Sequence, residues 1–231
     1  VAYCADPQQC TEIIKNKNIY TIQGNCENSL ANDKEDCGCG FEEDSACDLL
    51  FKKWFSYCQK NLNKQNLNWF STIPKHIKFK FGGKSFSILH GSATNISEFI
   101  FKSYNDKKFT PHFNIMKTDC IISGHCGLPF TKKIGDYHWH NAGVIGMPAN
   151  DGTSRAWYSI ISIINDKICF NHKAYDYDVQ KSYNKMKQAD MPVVYADALI
   201  TGIWPSTDIL PQKEKDKTGV AIKEHQVIWK K

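Results

Sequence analysis

Residues 119–127 read DCIISGHCG, an apolar strand pattern that ends in a tip carrying a histidine between glycines. Two other segments repeat this design: FSIL is followed by His-Gly at residues 90–91, and IYTIQ is followed by Gly-Asn-Cys-Glu at residues 24–27. Ligand sites of α/β sheets gather beyond the carboxyl ends of strands, and glycine lets an ion or phosphate approach the backbone. The three tips therefore predict one shared ligand site.

The candidate metal ligands at these tips are Asn25, His90 and His125. An amide oxygen and two neutral imidazoles form a first shell that suits Mn, Fe or Zn. A single histidine at a strand end is more often a hydrogen-bonded structural residue. Three tips of the same chemistry, in this order along the chain, favour a metal site.

The composition excludes several classes of protein. The chain has 231 residues and is 42% hydrophobic, which predicts one folded domain with a sizeable core rather than disorder. No apolar run approaches the ~18 residues that a membrane span needs. The net charge of +5 comes from scattered lysines, with Arg155 as the only arginine. Since bidentate reading of phosphates and bases favours arginine, neither a nucleic acid nor a membrane is expected as a partner.

The residue pattern predicts an α/β fold whose strands alternate with helices early and cluster in the second half. A polar, Gly- and Cys-rich loop is expected over residues 25–45. Residues 1–210 are expected to form the domain, and residues 211–231 a charged, solvated extension. The predicted helices cover residues 7–17, 47–62, 67–73, 97–104, 179–189 and 196–203. The predicted strands cover residues 19–23, 77–81, 85–89, 119–123, 138–145, 156–164 and 167–175.

The ten cysteines leave several interpretations open. A chain of this size does not need disulfide staples, and no signal peptide begins it, so we expect a cytoplasmic protein with reduced thiols. Cys37, Cys39 and Cys47 form a separate C-x-C-x7-C cluster in and just after the acidic loop. Three such thiolates suit Zn or another soft metal ion, or a redox pair, and they could also stay free.

The motifs GNCE, HG, GHCGLPF and HNAGVIGMPANDG, in this order, resemble the calcineurin-like metallophosphoesterases over nearly the whole chain. The resemblance implies a four-layer α/β/β/α sandwich with two divalent metal ions at the carboxyl ends of the central strands. Asn25, His90 and His125 fall on the positions that hold the second metal. The implied activity is hydrolysis of a phosphomonoester or small phosphodiester by a metal-activated hydroxide.

The sequence departs from the family pattern in three places. No Asp-x-His or Gly-Asp motif precedes Gly24, so we expect that the N-terminal strands are missing from this chain or that a second chain supplies them. Gly127 stands where most relatives carry a second histidine; Cys126, or His138 or His140 from the next strand, could replace that ligand, or a single metal is bound. Cys26 takes the position of a phosphate-facing histidine.

Cys26 and Glu27 are the catalytic candidates, Glu27 because it could orient the loop by hydrogen bonding. Two alternatives to an active hydrolase remain open. One is a binding or scaffold subunit that keeps the fold with a degraded site, and the other is a thiol-based metal handler that uses the cysteine cluster.

Overall fold

A computed structural model describes residue 1, residues 3–39 and residues 46–229, except for the side chains of residues 46, 47 and 49. Five strands form the first sheet, in the spatial order β1-β2-β3-β5-β4. These strands are β1 (His76–Phe81), β2 (Lys84–Leu89), β3 (Cys120–Ser123), β4 (Phe130–Ile134) and β5 (Tyr137–Asn141). β2, β3 and β5 run parallel, and β1 and β4 are antiparallel edges. The parallel strands therefore end at one edge of the sheet, as the tips predict.

The second sheet is antiparallel and has the order β6-β7-β8. Its strands are β6 (Ala156–Ile164), β7 (Lys167–Tyr175) and β8 (His225–Ile228). Phe86 and Cys120 of the first sheet pack against Ile168, Phe170 and Trp229 of the second in one buried cluster. The two sheets therefore face each other across an apolar layer, and the predicted α/β fold is confirmed.

A chain of polar contacts also crosses between the two sheets. The hydroxyl oxygen of Thr131 on β4 lies 2.8 Å from His140 Nδ1 on β5 and 2.8 Å from His172 Nε2 on β7. The His172 ring stacks on His225 of β8, with ring centroids 4.4 Å apart. His138, His140 and His172 are buried in the interior of the sandwich, and His225 is half-buried.

Eight α-helices and one short 3-10 helix (Asp106–Lys108) are described, and most of the α-helices surround a second core. They are α1 (Pro7–Asn16), α2 (Asn25–Ala31), α3 (Ala46–Asn61), α4 (Lys64–Thr72), α5 (Thr110–Met116), α6 (Val179–Gln188), α7 (Val193–Thr201) and α8 (Gln212–Lys215). On α3, Phe51, Trp54, Phe55 and Cys58 are buried at helical spacing and join Tyr195 of α7 in this cluster. Among the described helices, none is long and apolar enough to cross a membrane.

α5 belongs to a third cluster, on the outer face of the five-stranded sheet. Phe113 of α5 packs edge-on against Trp139 of β5, with ring centroids 6.1 Å apart. Met116 of α5 and Ile121 of β3 are buried in the same cluster. This helix was not predicted; the helix expected over residues 97–104 is wrong, and that segment consists of turns with Ile100 and Phe101 buried. The Phe-Ile-Phe run lacks the 3.6-residue period that a helix needs to bury one face.

The strand expected over residues 19–23 is also wrong. Gln23 N donates to Pro74 O at 2.9 Å, and Tyr20 is 95% exposed. A strand is defined by a ladder of backbone hydrogen bonds to a neighbour, and no described strand lies beside this segment. The apolar pattern of these residues is real, but it lacks a pairing partner in the described chain.

The loop expected over residues 25–45 begins as helix α2 instead. Gly24 is its N-cap, and the Glu27 side chain accepts a hydrogen bond from Gly24 N (3.2 Å). This bond is one half of a capping box, since glycine has no side chain that could accept from the first turn. A glycine N-cap lacks the serine or threonine that marks a helix start in the sequence. Residues 40–45 of the expected loop lie outside the described residues.

Two further differences concern the second half of the chain. The strand expected over residues 138–145 ends at Asn141, and it is preceded by the unpredicted β4. The segment expected to be a solvated extension instead carries α8 and β8, and Trp229 is 5% exposed.

Asp151 holds this C-terminal segment to the body of the fold. Its carboxylate is 1% exposed and accepts hydrogen bonds from Thr153 N (3.0 Å), Thr153 Oγ1 (2.7 Å) and Ile222 N (2.9 Å). Arg155 Nη2 lies 3.4 Å from the same carboxylate. One buried charge thus joins the 150–152 turn to the chain that leads into β8.

Candidate metal-binding site

The three predicted ligand tips meet at one place. His90 follows β2 directly, His125 is separated from β3 by Gly124 alone, and Asn25 is the first residue of α2. His90 Nε2 lies 2.9 Å from Asn25 Oδ1 and 3.0 Å from His125 Nδ1. Two parallel strands and one helix N-terminus therefore place Asn25 Oδ1 and His125 Nδ1 each next to His90 Nε2.

The spacing of these atoms fits a divalent cation. Ligands at about 2.1 Å from a metal and 90° apart lie about 3.0 Å from each other. Without a cation, the single proton that His90 Nε2 can carry serves only one of its two contacts well. A cation would satisfy the lone pairs of Asn25 Oδ1, His90 Nε2 and His125 Nδ1 together.

All three donors are neutral. Among the residues that the structure describes, no group of three or more His, Cys, Asp and Glu side chains is placed to hold a metal. The cluster has two histidines, and its third donor is the amide oxygen of Asn25. These residues provide one face of a coordination shell for one cation.

Both histidines are held in the form that binds metal. Burial is the main cause that lowers the pKa of His125 to about 3, and the neighbouring His90 imidazole adds to this effect. Burial likewise lowers the pKa of His90 below its usual value. Neutral imidazoles at physiological pH keep their lone pairs free for a cation.

Hydrogen bonds fix the two histidine loops to each other. Gly124 N donates to His90 O at 2.8 Å. Asn141 Nδ2 donates to Gly124 O at 2.8 Å, and its Oδ1 accepts from Gly143 N at 3.0 Å. Asn141 therefore fixes the backbone at Gly124 and Gly143.

The backbone around His125 has an uncommon conformation. His125 has φ +63°, in the left-handed region that non-glycine residues rarely adopt. Gly127 has φ +71°, and a Cβ at this position would lie 3.1 Å from Trp204 Cζ2. Both the backbone and the packing therefore favour glycine at position 127, where the family pattern has a second histidine.

Phe99 is a site residue that the sequence did not reveal. Its ring stacks on His125 with centroids 4.2 Å apart and an interplanar angle of 29°. Phe99 lies in the segment that was interpreted as a helix, and no local motif marks it. Only the path of the 97–104 turns brings it to the imidazole.

Asn25 connects the site to the cysteine-rich segment. Its amide Nδ2 donates to Cys37 O (3.0 Å) and to Cys39 Sγ (3.0 Å). Cys37 and Cys39 are joined by a disulfide, so the expectation of reduced thiols is wrong for this pair. The Cys47 side chain lies outside the described residues, and the other described cysteines are free. A bonded pair presents no thiolates to a soft metal ion.

The two catalytic candidates have different surroundings. Cys26 is 6% exposed and belongs to the helical core, and burial raises the pKa of its thiol. Glu27 accepts a hydrogen bond from Gly24 N at 3.2 Å. Glu27 thus fixes the N-terminus of the helix that carries Asn25, while Cys26 stays a protonated thiol. Their catalytic roles remain predictions.

The side chains of the alternative ligands make other contacts. Cys126 is buried, and its sulfur accepts a hydrogen bond from Asn141 Nδ2 at 3.2 Å. His138 and His140 point into the space between the sheets, where they stack near Phe170. The structure therefore does not bring these three residues to the group formed by Asn25, His90 and His125.

Comparisons with known proteins agree with this architecture. No protein-family model matches the chain. An uncharacterised protein of Methanocaldococcus jannaschii is 26% identical over 219 residues, which cover 87% of this chain and 83% of the relative. The crystal structure of a metallophosphoesterase from Sphaerobacter thermophilus matches with a TM-score of 0.67 at 19% identity, over 88% of this chain and 85% of that chain.

A second solved structure, a hypothetical protein of Pyrococcus horikoshii OT3, matches with a TM-score of 0.71 at 16% identity, over 88% of this chain and 82% of that chain. The chain therefore has the metallophosphoesterase fold. The predicted resemblance to the calcineurin-like metallophosphoesterases is confirmed at the level of the fold.

Proposed function

We propose that this protein is a metal-dependent phosphoester hydrolase that acts on a phosphomonoester or a small phosphodiester. The observation that carries the proposal is the meeting of Asn25, His90 and His125 at the carboxyl ends of parallel strands in a metallophosphoesterase fold. A bound divalent cation such as Mn²⁺ would supply a Lewis acid for the phosphoryl oxygens and lower the pKa of water.

The residues of this chain contribute position and charge. Neutral donors leave the full positive charge of the cation available to an anionic substrate, because Asn25, His90 and His125 cancel none of it. Phe99 covers one face of the His125 ring and limits its rotation. Gly24 and Gly91 let the backbone approach closely: a Cβ at Gly91 would lie 2.4 Å from Ile96 O.

The test is the removal of one imidazole. We expect His90→Ala to lower Mn²⁺-dependent hydrolysis of a generic phosphoester at least 100-fold, since a metal ligand is lost. The matched control is His76→Ala, which removes an exposed histidine from β1 and should leave turnover unchanged. Equal turnover of His90→Ala and the unaltered protein would contradict the proposed function.

The second candidate is a binding or scaffold subunit with a degraded site. The buried, protonated Cys26 and the absence of a fourth donor among the described residues favour it. Metal content separates the two: a preparation holding well below one equivalent after incubation with Mn²⁺ would support the binding subunit. At least one equivalent, together with turnover, would support the hydrolase.

A further inference from the structure

The Asn25 side chain is fully engaged on both of its ends. Its Oδ1 faces His90 Nε2 at 2.9 Å. Its Nδ2 carries two hydrogens and lies 3.0 Å from Cys37 O, 3.0 Å from Cys39 Sγ and, as a longer contact, 3.6 Å from Cys26 Sγ. Asn25 is 4% exposed, so water does not compete freely for these bonds.

These contacts decide which end of the amide meets the metal site. A carbonyl oxygen and a sulfur are acceptors, so they select the NH₂ end of Asn25 and turn the oxygen toward His90. If the amide rotated by 180°, its NH₂ group would face His90 and could not bind a cation. The segment 37–39 therefore sets the ligand atom without touching the metal.

The Cys-Gly-Cys turn is compact. The Cα atoms of Cys37 and Cys39 are 5.3 Å apart, and Gly38 between them has φ +62°, which reverses the chain. Gly38 N donates to Asp36 Oδ1 at 2.6 Å, and Cys39 N donates to Cys37 Sγ at 3.1 Å. Both cysteines are buried in the core that also contains Cys26.

We propose that the Cys37–Cys39 pair is a redox-controlled positioning element for the metal ligand Asn25. This inference rests on the proposed function of the Asn25, His90 and His125 site. A dithiol reductant would deliver two electrons and two protons, break the S–S bond and leave two thiols, while its own two sulfurs form a disulfide. An organic disulfide would reverse the step.

Reduction should weaken the hydrogen bonds that hold the Asn25 amide in place. Two unbonded thiols cannot stay at bonding distance, so at least one of the two sulfurs moves. We expect Cys39 Sγ to move away from Asn25 Nδ2, which removes one of its acceptors. Each new S–H group is also a donor that competes for acceptors. Loss of a partner that orients a metal ligand typically lowers metal affinity about 10- to 100-fold. We expect the oxidised protein to bind Mn²⁺ about 10-fold more tightly than the reduced protein.

The experiment measures free Mn²⁺ by electron paramagnetic resonance during titration of the full chain. One sample is oxidised, and the other is reduced with a phosphine that is removed before the titration. Alkylation before and after reduction, read by mass spectrometry, reports the state of Cys37 and Cys39. The comparison needs no substitution, so it cannot fail through misfolding of a variant.

Three variants sharpen the result. Cys39→Ser cannot form the disulfide, so its Mn²⁺ affinity should match that of the reduced protein in both preparations. Asn25→Asp keeps a ligand oxygen but has no N–H to donate, so its affinity should not depend on redox state. Cys10→Ser is the control, because it removes the exposed thiol that lies 3.2 Å from Cys4; the redox dependence should persist in it.

Several outcomes would overturn the proposal. The first is equal Mn²⁺ affinity of the oxidised and reduced proteins. The second is alkylation of both Cys37 and Cys39 in the oxidised sample without prior reduction, because it would show that the disulfide is not formed. A redox effect that disappears in Cys10→Ser would assign it to the other thiol pair. In each of these cases Mn²⁺ binding itself would still support the metal site. Absence of Mn²⁺ binding in every preparation would overturn the proposed function and this inference with it.

Discussion

His125 combines a proposed metal ligand with a strained backbone. At φ +63° its Cβ is crowded, a conformation that costs an L-residue roughly 1–2 kcal/mol and glycine little. Its ring is nevertheless held between His90 Nε2 and the face of Phe99. Such strain at a single residue indicates that the surrounding structure stabilises the conformation, and it agrees with the proposed role of His125 as a ligand.

A pair of substitutions separates the strain of His125 from its role as a ligand. Both His125→Ala and His125→Gly should lose Mn²⁺ affinity. In the absence of metal, His125→Gly should be more stable than His125→Ala by about 1 kcal/mol, because glycine accepts the positive φ. Urea denaturation with a chelator present measures the difference.

The same pair at His90 provides the control. His90 is not among the described residues with positive φ, so alanine should there be more stable than glycine. If His125→Gly were no more stable than His125→Ala, the backbone at position 125 would not be strained.

At the scale of elements, the carboxylate of Asp151 has the clearest stabilising role. Asn at this position would keep an acceptor for Thr153 but would turn an NH₂ group toward Ile222 N, which is also a donor. We expect Asp151→Asn to lower the free energy of unfolding by about 2 kcal/mol, since a charge-assisted bond is lost and a buried donor is left unpaired.

Urea denaturation of Asp151→Asn measures this loss. The control is Asp176→Asn, which removes an exposed carboxylate after β7 and should leave the midpoint in place. Equal midpoints for the two variants would show that Asp151 does not anchor the C-terminal segment.

Elements with a strong local pattern could be predicted from the sequence. β6 and β7 match their predicted bounds because an apolar run, a turn at Asn165-Asp166 and a second apolar run specify a hairpin. The His90 and His125 tips also come together, because parallel strands end at one edge. Asn25 reaches them from the N-terminus of α2 instead of from a strand end. Their roles as ligands remain a prediction.

Elements that depend on distant partners could not be predicted. Residues 19–23 have a strand pattern, but strand formation needs a neighbour that the pattern cannot supply. β8 lies in a charged segment, and it forms because β7 presents an open edge to residues 225–228. The Phe99 contact depends on the path of turns. The expected absence of N-terminal strands stays a prediction.

At the scale of the whole molecule, buried histidines link stability to pH. Burial is the main cause that lowers the pKa of His172 to about 3 and of His138 to about 4, and it also lowers the pKa of His140. In the unfolded chain a histidine has a pKa of about 6.5. The unfolded state therefore binds more protons below that value, and stability falls as the pH decreases from about 6.5 toward 4.

The substitution His172→Gln tests this linkage. It keeps a polar side chain near Thr131 but removes one titrating group from the interior. The slope of the unfolding free energy against pH, between pH 6 and 4, should decrease by about 1.4 kcal/mol per pH unit at most. His76→Gln, at an exposed position, is the control. Equal slopes for His172→Gln and the unaltered protein would show that the titration of His172 does not link stability to pH.

The Thr131 hydroxyl between the sheets also imposes a direction on hydrogen bonds. It carries one proton, so it can donate to His140 or to His172, but not to both. His140 Nε2 is buried without a partner among the described residues, and a proton there would be an unpaired donor. The favoured tautomer of His140 therefore has its proton on Nδ1 and donates to Thr131, which donates in turn to His172 Nε2. The remaining proton of His172 then sits on Nδ1, facing Ser159 Oγ at 3.4 Å. The tautomer of a histidine in one sheet thus determines that of a histidine in the other.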